Sequence, residues 1–129
     1  MAAEGGPGPR GGEGRRGRRL SVDLAAVIGG RSPRQVRVVD LSLVGCLVRA
    51  DTALARGAVL DLTLALPDGP LRAKSRVAAA SLDGEAPSGA PSFLTGLEFL
   101  ALAAVDEARL RAFLEAEAKR RRVAHTPPA

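Results

Sequence analysis

The sequence predicts a mainly β fold: a six-stranded antiparallel β-barrel followed by a single C-terminal α-helix. Three observations predict it. Between Leu20 and Leu100 apolar residues recur with period two, as strands with one buried face require. Gly, Pro, Ser and Asp gather between those runs, where turns belong. Beyond Leu100 the period lengthens to that of a helix. A chain of 129 residues, 46% of them hydrophobic, has the length of one ordinary domain and enough apolar residues for its core.

The first strand is read from Leu20, Val22, Leu24, Ala26 and Ile28, which alternate with Ser21, Asp23, Ala25 and Val27. Gly29-Gly30 and Ser32-Pro33 mark the turn after it. Gln35–Val39 and Gly45–Ala50 form the second and third strands. In the fourth, Leu60, Leu62, Leu64 and Leu66 share one face, and Pro67-Asp68-Gly69-Pro70 turns the chain back. The fifth puts Leu71, Ala73, Ser75 and Val77 inward and Arg72, Lys74 and Arg76 outward. A Gly/Pro/Ser loop over 83–92 leads to the sixth, Leu94–Leu100. Leu110, Phe113 and Leu114 then recur at helical spacing. Asp106 and Glu107 suit that helix's positive end, and Lys119–Arg122 its negative end. The expected organisation is a Gly/Pro-rich disordered tail over 1–14, a domain over 15–122 and a second tail over 123–129. Within the domain, 15–19 is an arm, 20–100 the barrel and about 104–121 the helix.

Composition removes several function classes. Three Phe, with no Tyr or Trp, leave no base-stacking platform of the kind single-strand and RNA-recognition modules use. One Cys and one His build neither a zinc site nor a disulfide. Cys46 falls mid-strand beside Leu47 and Val48, where a small buried hydrophobe is the better reading than a nucleophile. His125 stands in the expected tail, so no catalytic pair has a rigid base, and no enzyme, metal or cofactor is expected. A literal GxGxxG at 6–11 has no strand before it and no helix after it, which fails the context a dinucleotide site needs. The opening residues lack an apolar h-region, and Phe93–Val105 is too short and polar to cross a bilayer. The expectation is a cytoplasmic protein without membrane insertion.

The net charge of +5 is unevenly spread. Residues 1–19 hold five Arg against two Glu, Lys119–Arg122 adds four cations, and the body between has ten basic and twelve acidic residues. The body is near neutral and the basicity sits at the ends, which favours an anionic partner.

Two short segments carry candidate chemistry. Arg15-Arg16-Gly17-Arg18-Arg19 ends where the first strand begins. Its plain reading is a solvated basic linker. Its position gives it more, because an arm anchored on a barrel can fold over a ligand, with Gly17 permitting a bend between Arg15 and Arg19. Arg forks onto guanine O6/N7, pairs with phosphate and stacks on a base, which suits an anionic guanine nucleotide. The second segment, Asp40-Leu41-Ser42-Leu43-Val44-Gly45, has the residue types of a turn. Its carboxylate also accepts guanine N1–H and N2–H, while the Ser hydroxyl and Gly amide donate to phosphate.

In this order and on this strand layout, the two segments resemble the PilZ family of cyclic di-GMP receptors. Arg15 and Arg19 match its RxxxR arm; Asp40, Ser42 and Gly45 match its (D/N)xSxxG turn. Arg19–Leu24 resembles the family's entry into strand one, and Gly96-Leu97-Glu98-Phe99 its last strand. The resemblance implies a PilZ-type barrel that binds cyclic di-GMP through Arg15, Arg19, Asp40, Ser42 and Gly45, with Arg16 and Arg18 as possible additional contacts. It implies a receptor or adaptor that signals to a protein partner, still unidentified, in motility, exopolysaccharide or biofilm control. Two alternatives stand beside it. One is a basic, Arg/Gly-rich nucleic-acid-binding protein, disfavoured by the missing aromatics and neutral body. The other is a PilZ-like interaction module that binds no nucleotide, disfavoured by the complete motif.

Overall fold

The computed structural model describes residues 19–125. Six strands appear in chain order: β1 (Leu20–Ile28), β2 (Arg34–Leu41), β3 (Gly45–Ala50), β4 (Val59–Leu66), β5 (Gly69–Glu85) and β6 (Pro91–Ala101). A single helix, α1 (Ala104–His125), follows. All strand pairs are antiparallel, and the sheet closes in the order β1-β2-β3-β6-β5-β4. The closing seam, β1 with β4, is short, running from Ala26↔Leu64 to Ile28↔Leu62.

Alternation explains the interior. Val38, Val48, Leu62, Leu64 and Leu71 point inward and are fully buried, while Arg72, Lys74 and Arg76 stand outside. From α1, Leu110 is buried in the same core, with Phe113 and Leu114 packed against it. The helix is held in place by Arg109, which the period-based reading of the sequence passed over. Its guanidinium donates to both carboxylate oxygens of Asp68, to the carbonyls of Gly69 and Pro70, and to Asp106. One planar fork thus ties the first turns of α1 to the β4–β5 hairpin. The same bonds hold the Asp68 carboxyl below its ordinary value.

Three boundaries differ from the sequence reading. The strand β2 runs through Asp40 and Leu41, because both continue the ladder to β1 and β3, so only Ser42–Val44 lies between strands. The expected loop over 83–92 is largely strand. Leu82 and Glu85 pair with Phe93 and Pro91, leaving Ala86–Ala90 as the connection. Backbone pairing across β6 outweighs the turn-forming side chains there. Finally, α1 continues to His125, beyond the expected end near Arg121. The expected tail over 1–14 lies outside the described residues, as does the chain after His125.

Thr95 on β6 is fully buried, and its hydroxyl has no partner among the described residues. A buried hydroxyl without a partner costs about 1–3 kcal/mol in lost hydration. Thr95→Val keeps the shape and removes the polar atom, so its melting temperature should rise above the parent's. A fall would show that the hydroxyl is satisfied in solution.

Candidate functional site

The site is assembled by strand register at one end of the barrel. Leu20 pairs with Leu41 and Ser21 with Asp40, so the chain enters β1 beside the end of β2. On its other side Asp40 pairs with Leu47 of β3, and Gly45 pairs with Glu98 of β6. Arg19, Asp40, Ser42 and Gly45 therefore meet where β1, β2, β3 and β6 converge. Register shifts fall on both ladders here, between Ser21 and Leu24 in β1 and between Val38 and Asp40 in β2. Such bulges re-aim side chains that a regular ladder would fix.

Arg19 and Asp40 face each other as an ion pair, with a guanidinium nitrogen 3.8 Å from a carboxylate oxygen. That separation exceeds a hydrogen bond. The arginine side chain is 60% exposed and the aspartate 25%, so both remain accessible to a ligand. Arg15, Arg16 and Arg18 lie outside the described residues.

Ser42 has a different place from the one its chemistry first indicates. Its hydroxyl is buried, donates to the Gly45 carbonyl at 3.2 Å, and accepts from the amides of Val44 at 3.1 Å and Gly45 at 3.2 Å. The Ser42 amide also donates to the Gly45 carbonyl, at 2.9 Å. The expected donation of this hydroxyl and the Gly45 amide to phosphate does not fit the observed geometry, since both are engaged inside the turn. Ser42 instead fixes the chain reversal that sets Asp40 against Gly45. Gly45 is required by close approach rather than by a left-handed backbone. A Cβ built there would lie 2.3 Å from the Leu97 carbonyl oxygen.

Two further groups belong to this end of the barrel. Arg121, near the end of α1, donates to the Ser21 carbonyl and pairs with Glu117 at 3.7 Å. The basic run at the end of α1 thus reaches the start of β1, two residues from Arg19. Local patterns hold no trace of this, because the contact spans the whole barrel. Cys46 is buried within electrostatic reach of Arg19 and Asp40. Burial pushes its thiol from 9.0 up to about 12, with Arg19 pulling it down and Asp40 pushing it up by smaller amounts. The folded thiol keeps its proton where the unfolded chain loses it. Its contribution to stability is therefore complete below pH 9.0 and is lost progressively as pH rises from 9.0 towards about 12. Comparing urea midpoints of the parent and Cys46→Ala across this window should show the parent losing up to about 1.4 kcal/mol more per pH unit. Parallel curves would contradict the burial.

The family profile described as the PilZ domain matches residues 13–116. The chain belongs to the PilZ family. No curated protein matches it in sequence. Among solved structures it is similar to the PilZ domain of Escherichia coli YcgR with c-di-GMP (TM-score 0.68, 19% identity, 88% of this chain and 98% of that one). It is also similar to K. pneumonia MrkH in its apo state (TM-score 0.67, 20% identity, covering 80% and 52%). A third is the Bacillus subtilis inhibitor of motility MotI/DgrA (TM-score 0.64, 18% identity, covering 80% and 51%). At these identities the likeness is one of fold. This PilZ chain spans about half the length of MrkH and MotI/DgrA. Among the described residues, no helix is long and apolar enough to cross a membrane.

Proposed function

We propose that this PilZ domain is a cyclic di-GMP receptor that passes the signal to a protein partner. The observation that carries the reading is the Arg19–Asp40 pair, set by strand register at the point where the RxxxR arm joins the barrel. Arg15 and Arg19 supply planar donors for phosphate and guanine, and Asp40 supplies paired acceptors for guanine N1–H and N2–H. Ser42 and Gly45 hold the turn that presents Asp40, and Arg16 and Arg18 add positive charge. Arg121 adds charge from the helix side. The fold relatives include a YcgR domain and MrkH, each solved with c-di-GMP. Its one thiol is buried and held protonated, which withholds Cys46 from nucleophilic chemistry and fits a binding role. The segment 15–19 is the arm that closes on the ligand, and the output is a changed surface read by a protein in motility, exopolysaccharide or biofilm control.

Calorimetric titration of the full chain with cyclic di-GMP, cyclic di-AMP, GMP and duplex DNA tests this. Saturable binding of cyclic di-GMP alone is expected. Asp40→Ala should lose more affinity for cyclic di-GMP than for cyclic di-AMP, because only the guanine edge uses the carboxylate. Binding of duplex DNA with a steep salt dependence, and none of cyclic di-GMP, would replace this reading with nucleic-acid binding.

A further inference from the structure

One row of the sheet's outer face runs from Asp40 across three further strands. Asp40 pairs with Leu47 of β3, Leu47 with Gly96 of β6, and Gly96 with Ala79 of β5. Residues opposed across an antiparallel ladder share a face. The chain neighbours Cys46, Val48, Thr95 and Leu97 are buried, so this row points outward. Leu47 is half-buried yet lies outside the core cluster, and Ala79 is exposed. The row begins at a carboxylate and continues as a lane of small and aliphatic groups.

Gly96 is the residue in it that the fold leaves unexplained. A glycine inside a strand costs stability, and it commonly marks a positive φ, a bulge or a close approach. Gly96 has no positive φ. The bulge beside it belongs to β5, where the register shifts between Val77 and Ala79, so the extra residue stands on that strand. A Cβ built on Gly96 meets only the Ala79 carbonyl oxygen, at 3.9 Å, an ordinary contact. Gly45 is the contrast, since there a Cβ strikes backbone at 2.3 Å. The space above Gly96 is open, and nothing among the described residues needs it open.

Charges flank the lane without entering it. Arg49, the next outward residue of β3, bonds to Asp83 at 3.0 Å, and Glu98 of β6 lies 3.6 Å from Arg76. Neighbouring strands stand about 4.8 Å apart, so roughly 10 Å of lane separates Asp40 from Gly96. That is the span of a flat bicyclic base and the hydrogen bonds at its edge. A purine laid there covers Leu47 and rests on Gly96, where any side chain would tilt it off the sheet.

We propose that Leu47, Gly96 and Ala79 form a shelf for one guanine ring of cyclic di-GMP, with the ring's N1–H and N2–H edge turned to Asp40. The shelf rests on the receptor reading of this site and adds the face of the base to its edge. Asp40 selects guanine, and the shelf holds its plane.

Calorimetry with cyclic di-GMP, beside melting curves, tests the shelf on variants of the full chain. Gly96→Val should weaken binding about tenfold or more. It should melt at or above the parent's temperature, because valine suits a strand and its Cβ meets backbone only at ordinary distance. Gly96→Ala should lose a smaller factor of affinity. Leu47→Ala should weaken binding about threefold, and Leu47→Phe should tighten it by about as much, since an aromatic floor stacks on the base. A Gly96→Val protein that binds like the parent removes the shelf and leaves the receptor reading standing. A Gly96→Val protein that melts well below the parent also removes it, by making the glycine structural. So does a loss of affinity in Leu47→Phe. A parent that fails to bind cyclic di-GMP removes both the shelf and the receptor reading.

Discussion

Gly45→Val should abolish stable folding or lower the melting temperature by well over ten degrees. The reason is a distance to backbone. Any Cβ at this position meets the Leu97 carbonyl oxygen at 2.3 Å and the carbonyl carbon at 3.3 Å. Neither atom belongs to a flexible side chain that could swing away. Leu97 is paired with Cys46, and Glu98 with Gly45, so relief requires β3 and β6 to separate. The Phe99 amide, which donates to the Val44 carbonyl at 2.9 Å, would be pulled from its partner as well. Overpacking against side chains already costs about 1–3 kcal/mol, and a rigid carbonyl gives less room. For a domain of this size each kcal/mol is worth about 4–8 °C. Gly45→Ala, lacking the branched methyls, meets the same contact and should fall in the same direction. Thermal melts followed by circular dichroism provide the check. A Gly45→Ala protein that melts with the parent would mean that β3 and β6 are spaced more widely than described.

This result bears on how the site was legible in sequence. The (D/N)xSxxG pattern marked a segment in which two of the three motif residues shape the chain. Ser42 closes hydrogen bonds within its own turn, and Gly45 admits the backbone of β6. Residue type alone gave both a donor's role, because a hydroxyl and an amide look available until the turn around them is known. The strands were readable because alternation is enforced by burial on one face, as Leu62, Leu64 and Leu66 show. The reach of β5 to Glu85 was not, since Ala78–Glu85 buries neither face and leaves no alternation to read. Arg109 and Arg121 were also hidden, one among helix charges and one in a basic run. Their partners lie on the β4–β5 hairpin and on β1, far along the chain, and only the closed barrel brings them near.

Arg19→Ala should separate affinity from stability. The Arg19–Asp40 pair is 3.8 Å apart and its arginine is 60% exposed, so solvent screens most of its attraction. Exposed pairs of this kind contribute about 0–1 kcal/mol, and the melting temperature of Arg19→Ala should stay within a few degrees of the parent's. Binding is another matter. A guanidinium that donates to phosphate or guanine forms a charge-assisted bond worth about 1.5–3 kcal/mol, which corresponds to roughly tenfold to a hundredfold in affinity for cyclic di-GMP. Arg15→Ala should lose a similar amount if the arm acts through both ends of RxxxR. Arg16→Ala and Arg18→Ala should lose less. Arg19→Lys distinguishes charge from geometry: it keeps the cation, discards the planar fork, and should recover only part of the loss. Raising salt should weaken the parent and narrow its lead over Arg19→Ala, as screening removes the shared charge attraction. Calorimetry of the four alanine variants beside their melting curves makes the comparison. Equal affinity in Arg19→Ala and the parent, with both folded, would take the arm out of the binding site.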